Sequence, residues 1–197
     1  MNFDTTNPML MLIDLQNAID DPSWGVRNNP EAEDKIQTLL KNWRAKKLPI
    51  LHIKHMSTEP ESKYFPGTVG NDFKQVAMPL DSEDVIEKDT NSAFIRTNLD
   101  GYLQERSISE VVIVGVITNN SVEATARMSG NLGYKTFVVS DATYTFDMKD
   151  FAGQLHTAET VHNMSLANLQ GEYAHILNTE EVLKRIVSGE DQCTKTS

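Results

Sequence analysis

Residues 111–128 read VVIVGVITNNSVEATARM. Five β-branched residues around one glycine form an apolar run, 111–116, with no polar interruption, the pattern of a strand buried on both faces. A strand covered on both sides belongs to a parallel sheet. The run ends in the polar turn TNNS, and a helix is expected to begin at Asn120 or Ser121 and continue through VEATARMSGNLG, with Gly130 and Gly133 as stop signals. Strand, polar turn and helix start together make half of a β-α-β unit.

The same alternation extends in both directions. Toward the C-terminus a strand is expected at 136–139, a helical stretch from about Asp150 to Leu169 with Gly171 after it, a strand at 174–177 and a helix from Thr179. Toward the N-terminus, MLMLIDL (9–15) follows Pro8 and is apolar except for Asp14, again a doubly buried strand with a carboxylate near its end. Ile36, Leu39, Leu40 and Trp43 recur at helical spacing and stop near Lys46 and Lys47, before Pro49. Ile50 to Ile53 form the next strand, and Val85 and Ile86 a short one leading into Lys88. This order predicts an α/β fold, a three-layer α/β/α Rossmann-like sandwich around a mainly parallel sheet, in one domain over 1–187 with a polar, flexible tail at 188–197.

Composition narrows the function. Twenty-eight acidic against eighteen basic residues give a formal charge of −10, which opposes binding to a phosphate backbone, so nucleic acid is not expected as a partner. No apolar run reaches the roughly 20 residues of a membrane span, and MNFDTTNPML lacks the features of a signal peptide. The expectation is a cytoplasmic protein acting on a small molecule. Cys193, the single cysteine, lies in the tail, which leaves no intrachain disulfide and no cysteine metal cluster.

In a parallel α/β sheet ligands bind beyond the carboxyl ends of the strands, and Asp14, Lys88 and the 117–121 turn all lie there. A carboxylate inside an apolar strand needs a partner; the other reading of Asp14 is a cap for a nearby loop or helix. Lys88 alone reads equally as a solvated surface lysine. Ser121 at a helix N-terminus has free N–H groups and a positive dipole end beside it, suited to an oxyanion, or is simply an N-cap.

LIDLQ (12–16), FPGTVG (65–70), Lys88 followed by Ser92-Ala93-Phe94, GVITNNSVEATAR (115–127) and VVSDAT (138–143) occur in an order and spacing that resemble the isochorismatase-like (cysteine hydrolase) superfamily over most of residues 9–185. The resemblance implies a triad carried onto Asp14, Lys88 and Ser121, a cis peptide before Ile117, an oxyanion hole from the N–H groups of Ile117 and Ser121, and a homodimer or homotetramer. Most hydrolases of that superfamily have cysteine where Ser121 stands. A hydroxyl needs a general base that a thiol does not, and a carboxylate is a weak one. Ser121 is then a natural serine nucleophile, the reading preferred here, a deliberate cysteine-to-serine inactivation, or part of a mechanism with no covalent intermediate, as in vinyl-ether hydrolysis. The activity expected is hydrolysis of a small amide; the alternatives are a vinyl-ether hydrolase and a catalytically silent ligand binder.

No cofactor is expected: no G-x-G-x-x-G follows the first strand and no Walker lysine motif is present. His52 and His55 raise the metal site of the nicotinamidase branch, but the Asp-x-His arrangement is missing and residues three apart on a strand face opposite sides, so no metal is expected. Gln16, Trp24, His55, Phe65, Asn119 and Asn120 are the candidate substrate-binding residues, with Asn17 and Tyr64 beside them, and Asp141 is expected to fix a loop near the sheet edge.

Overall fold

In the computed structural model, which describes residue 3 and residues 7–188, six strands form one sheet in the order β3-β2-β1-β4-β5-β8. They are β1 (Met9–Ile13), β2 (Ile50–His55), β3 (Asp84–Lys88), β4 (Glu110–Val116), β5 (Lys135–Tyr144) and β8 (His175–Leu177). All five pairings are parallel. Strands β1 and β4 are buried along their whole length, as their unbroken apolar runs require.

The pleat divides the core in two. Leu10, Leu12, Val112, Val114 and Val116 face the helices α1 (Ala32–Lys46) and α5 (Thr179–Ser188). Met9, Met11, Ile13, Val111 and Ile113 face α2 (Leu99–Glu105), α3 (Glu123–Asn131) and α4 (Ala158–Leu169). The result is the expected α/β/α sandwich. Helix α1 buries Ile36, Leu39, Leu40 and Trp43, each contributing roughly 1.5–3 kcal/mol when fully covered. Trp43 can be wholly buried because its indole N–H donates to the carbonyl of Pro8 at 3.0 Å. Asp34 in the first turn and Lys46 in the last suit the helix dipole, and Lys47 closes α1 in the left-handed conformation at φ 55°.

Three elements depart from the sequence reading. Residues 148–156 are not helical: β6 (Met148–Lys149) and β7 (Leu155–His156) form an antiparallel hairpin. Its turn is held by Asp150, whose carboxylate accepts from the N–H groups of Ala152 and Gln154, so α4 starts only at Ala158, capped by Thr157. Helix α2 was not anticipated; it is seven residues long and buries only Leu99 and Leu103. Gly130 does not stop α3 but lies within it, where a Cβ would come within 2.5 Å of the Tyr173 carbonyl oxygen. Asp141 accepts from both the backbone N–H and the hydroxyl of Thr179 at 2.8 Å, tying β5 to the start of α5. The tail from residue 189 onward, with Cys193, lies outside the described residues.

Strand order reverses between β1 and β4, since β2 and β3 extend one way and β5 and β8 the other. The backbones pack closely at this point: Gly115 has φ 116°, and a Cβ there would stand 2.2 Å from the carbonyl oxygen of Ile13. Ligand crevices in open α/β sheets form at such reversals.

Candidate active site

Asp14 follows β1 with φ 51°, and its carboxylate oxygen Oδ2 accepts from Nζ of Lys88, the last residue of β3, at 2.7 Å. Both residues are buried, Asp14 at 5% exposure and Lys88 at 3%. Lys88 is therefore not a surface lysine, and the partner that a carboxylate in an apolar strand demands is supplied from 74 residues away. The second carboxylate oxygen, Oδ1, is buried with no hydrogen-bond partner among the described residues.

The chain leaves β4 through a cis peptide between Val116 and Ile117, then makes a single wide turn, Thr118–Val122, before α3 begins at Glu123. The N–H groups of Asn120 and Val122 donate to the Ile117 carbonyl. Ser121 does not cap the helix; its hydroxyl oxygen lies 3.4 Å from Nζ of Lys88 and accepts from it. The turn is pinned from behind by α4. His162 is hydrogen-bonded to the Thr118 hydroxyl at 2.9 Å, and Ser165 donates to the Thr118 carbonyl and to Glu123. Burial holds His162 below its ordinary pKa.

These groups open onto a cavity of about 490 Å³, within the range that accommodates small ligands. Asp14, Tyr64, Val116 and Ser121 are its buried members, with Trp24, His55, Ile117 and Asn120 beside them. Ser23, Glu61, Lys63 and Asn91 are exposed toward solvent. Trp24 is fixed by its indole N–H, which donates to Ala18, and by stacking on Phe146. His55 packs edge-on against Tyr64. Burial pushes the Tyr64 phenol well above its ordinary pKa.

Of the residues anticipated, Asp14, Trp24, His55, Tyr64, Ile117, Asn120 and Ser121 line the cavity, and Lys88 meets it through Asp14 and Ser121. Four do not. Asn17 donates its amide to the Val69 carbonyl instead. Gln16 is fully buried, its amide committed to backbone groups: Nε2 donates to His55 and Asn71, and Oε1 accepts from His55. Phe65 is half-buried outside the lining, because the turn presents its neighbour Tyr64 instead. Asn119 faces away, accepting from the Thr145 hydroxyl and donating toward the sulfur of Met148. Ser23, Glu61, Ser62, Lys63 and Asn91 were missed; they sit in loops after strands or short turns, and only that position signalled them. His52 points elsewhere, its Nε2 2.9 Å from Glu83 and its ring against Phe73.

A second polar cluster lies where α1 meets the 17–24 segment. Glu33 on α1 accepts from both guanidinium nitrogens of Arg27, from Lys74 and from the hydroxyl of Tyr144. Lys74 also pairs with Asp20, and Arg27 stacks over the Tyr144 ring at 3.6 Å. Burial alone would raise the Glu33 pKa, but the hydrogen bonds from Arg27 and Lys74 outweigh it and bring it to about 2. Thus the 17–24 segment that carries Trp24 is clasped to α1.

An acid, a lysine and a hydroxyl gathered beside a cavity, at the strand-order reversal of a parallel sheet, define an α/β protein with an enzyme-like pocket. Residues 8–181 match the Isochorismatase domain family, and the chain belongs to that family of hydrolases. It is 42% identical over 178 residues to the isochorismatase family protein YrdC of Bacillus subtilis, covering 90% of this chain and 95% of that one. An isochorismatase-family structure from Chromobacterium violaceum superposes with a TM-score of 0.94 at 47% identity, over 95% of this chain and 97% of the other. Nicotinamidase 3 of Arabidopsis thaliana is 26% identical over 191 residues, covering 90% of this chain and 88% of that one.

Proposed function

We propose that the protein hydrolyses the C–N bond of a small amide, with Ser121 as nucleophile, Asp14 as proton-transfer group and Lys88 as the charge that holds them together. The observation that carries this reading is the position of Lys88: one buried ammonium lies 2.7 Å from the Asp14 carboxylate and 3.4 Å from the Ser121 hydroxyl, beside a cavity of about 490 Å³. A protein without chemistry to perform has little use for a buried ion pair, whose desolvation cost rivals its attraction. The likeness to a nicotinamidase supports an amide as substrate.

In this reading the Ser121 oxygen adds to the carbonyl carbon, and the oxygen charge that develops is met by the N–H groups of Ile117 and Ser121. The amine departs with a proton, and water then releases the acyl group from Ser121. Trp24, His55, Tyr64 and Asn120 shape the pocket around the acyl portion.

The test is a screen of small amides followed by mass spectrometry of residue 121. The parent protein is expected to form an acyl adduct that Ser121→Ala abolishes together with turnover. A Ser121→Ala variant losing only about 10²- to 10³-fold, with Asp14→Asn inactive and no adduct in the parent, would replace the serine nucleophile by a non-covalent vinyl-ether type mechanism.

A further inference from the structure

The Lys88 ammonium has three protons to donate but four acceptors around it. Asp14 Oδ2 lies at 2.7 Å, the Thr90 carbonyl at 3.0 Å, and His55 Nδ1 and Ser121 Oγ both at 3.4 Å. The two short bonds take two protons. The third is contested between an imidazole nitrogen and the nucleophile at equal distance, the outer limit of a hydrogen bond, and such catalytic contacts tighten when substrate is bound.

We infer that His55 is the base for Ser121, receiving the hydroxyl proton through Lys88. The inference rests on the serine-hydrolase reading of the site and gives one proton in it a destination. As the Ser121 oxygen bonds to the substrate carbon, Lys88 Nζ gives one of its protons to His55 Nδ1 and, with the electron pair so freed, takes the Ser121 O–H proton in its place. One O–H and one N–H bond break, two N–H bonds form, and the carbonyl electron pair moves onto oxygen. Lys88 ends with the charge it started with, and His55 becomes an imidazolium. The proton returns by the same route to the leaving nitrogen as the C–N bond breaks. Asp14 holds Lys88 in place during acylation and is the proton-transfer group of the second half, taking a proton from the water that releases the acyl group and returning it to the Ser121 oxygen.

The surroundings suit this role. A neutral imidazole can accept at Nδ1 without giving up an ion pair, whereas Asp14 Oδ2 is committed to Lys88 at 2.7 Å. Burial holds His55 below its ordinary pKa; the Asp14 carboxylate opposes this, the Lys88 charge adds to it and Asp89 opposes it again, so the ring is neutral at pH 7 and free to accept. Tyr64, the aromatic neighbour, stays a phenol. The ring is fixed by its backbone, since Gln16 holds both the N–H and the carbonyl of His55.

Two measurements test this. Nitrogen-15 NMR of histidine-labelled protein is expected to show His55 as the Nε2–H tautomer near pH 8, with Nδ1 accepting, and in Ser121→Ala the Nδ1 signal should move further as Lys88 commits its third proton there. An Nδ1–H tautomer overturns the relay. Burst acylation by p-nitrophenyl acetate isolates the nucleophile, because its leaving group needs no proton. His55→Gln and His55→Asn are each expected to lower the burst rate about 10²-fold and to remove the histidine limb of its pH profile. Parent-like rates with an unchanged profile in a folded variant overturn the relay while leaving Ser121 as nucleophile. If the parent itself gives no burst and no adduct, the serine reading fails, and with it the role of His55 as base for Ser121.

Discussion

Gln16 grips His55 by its backbone: the side-chain Oε1 accepts the His55 N–H at 2.7 Å, and Nε2 donates to the His55 carbonyl at 2.9 Å. A side chain thus serves as one more strand neighbour for the last residue of β2. The same Nε2 donates to the carbonyl of Asn71, and the Asn71 amide in turn donates to the carbonyls of His55 and Tyr64. Two amides therefore set the positions of both aromatic residues at the buried end of the cavity.

Gln16→Leu keeps the volume and removes both bonds to His55; the His55 carbonyl keeps its bond from Asn71, while the His55 N–H and the Asn71 carbonyl lose the Gln16 amide. Each backbone group orphaned in the interior costs about 1–3 kcal/mol. Urea unfolding is expected to show a loss in that range per group, and the hydrolytic rate should fall as His55 loses its register. A variant as stable as the parent would mean that water or another group replaces Gln16.

Lys88→Met leaves Asp14 buried and unpaired, which is expected to cost about 3–5 kcal/mol. Asp14→Asn in the same background removes the orphaned charge and should recover a large part of that loss. A double-mutant cycle by chemical denaturation measures the coupling. Additive losses would place Lys88 and Asp14 apart in solution and take away the centre of the site.

The sheet was legible because a strand buried on both faces has to be apolar throughout, and 9–13 and 111–116 are. Helix α1 was legible from the spacing of Ile36, Leu39, Leu40 and Trp43. Helix α2 was not, because two buried leucines in seven residues fall below any periodicity, and residues 150–156 were misread as helix because the Asp150 turn depends on contacts between a side chain and the backbone. Strand-end position together with family resemblance singled out Asp14, Lys88 and Ser121, which the structure brings together around the Lys88 ammonium. Gln16 was mistaken for a ligand contact because a polar residue after a buried strand fits either role, and its partner His55 lies 39 residues away. The Glu33 cluster went unseen for the same reason: its partners are 6, 41 and 111 residues distant.

Glu33 makes stability depend on pH in a defined window. Its folded pKa is about 2 against an ordinary 4.5, so the unfolded chain takes up the proton first as the pH falls. The stabilisation is complete above about pH 4.5 and is lost progressively toward pH 2, on the order of 3 kcal/mol for this group. Denaturant melts across that range should show the loss, and Glu33→Gln should flatten part of the slope while lowering stability at pH 7. An unchanged slope in the variant would show that Arg27 and Lys74 do not hold Glu33 ionised.

Ser121→Cys separates a pocket adapted to serine from a thiolate pocket in which serine is a disabling change. A thiol beside Lys88 and close to the start of α3 ionises without help, so it has no need of an external base. In the variant, acylation by p-nitrophenyl acetate is therefore expected to be independent of His55: Ser121→Cys alone and Ser121→Cys with His55→Gln should differ by less than about threefold, whereas in the serine parent the same histidine change costs about 10²-fold. The pH profile should shift from one governed by an imidazole to one governed by the thiol. Amide turnover by the cysteine variant is expected to stay within about tenfold of the parent, because the leaving nitrogen still requires a proton that only the His55 route delivers. A rise of several orders of magnitude in amide hydrolysis would mean that the pocket is built for a thiolate and that Ser121 silences it, and the parent would then show no acyl adduct on residue 121 by mass spectrometry.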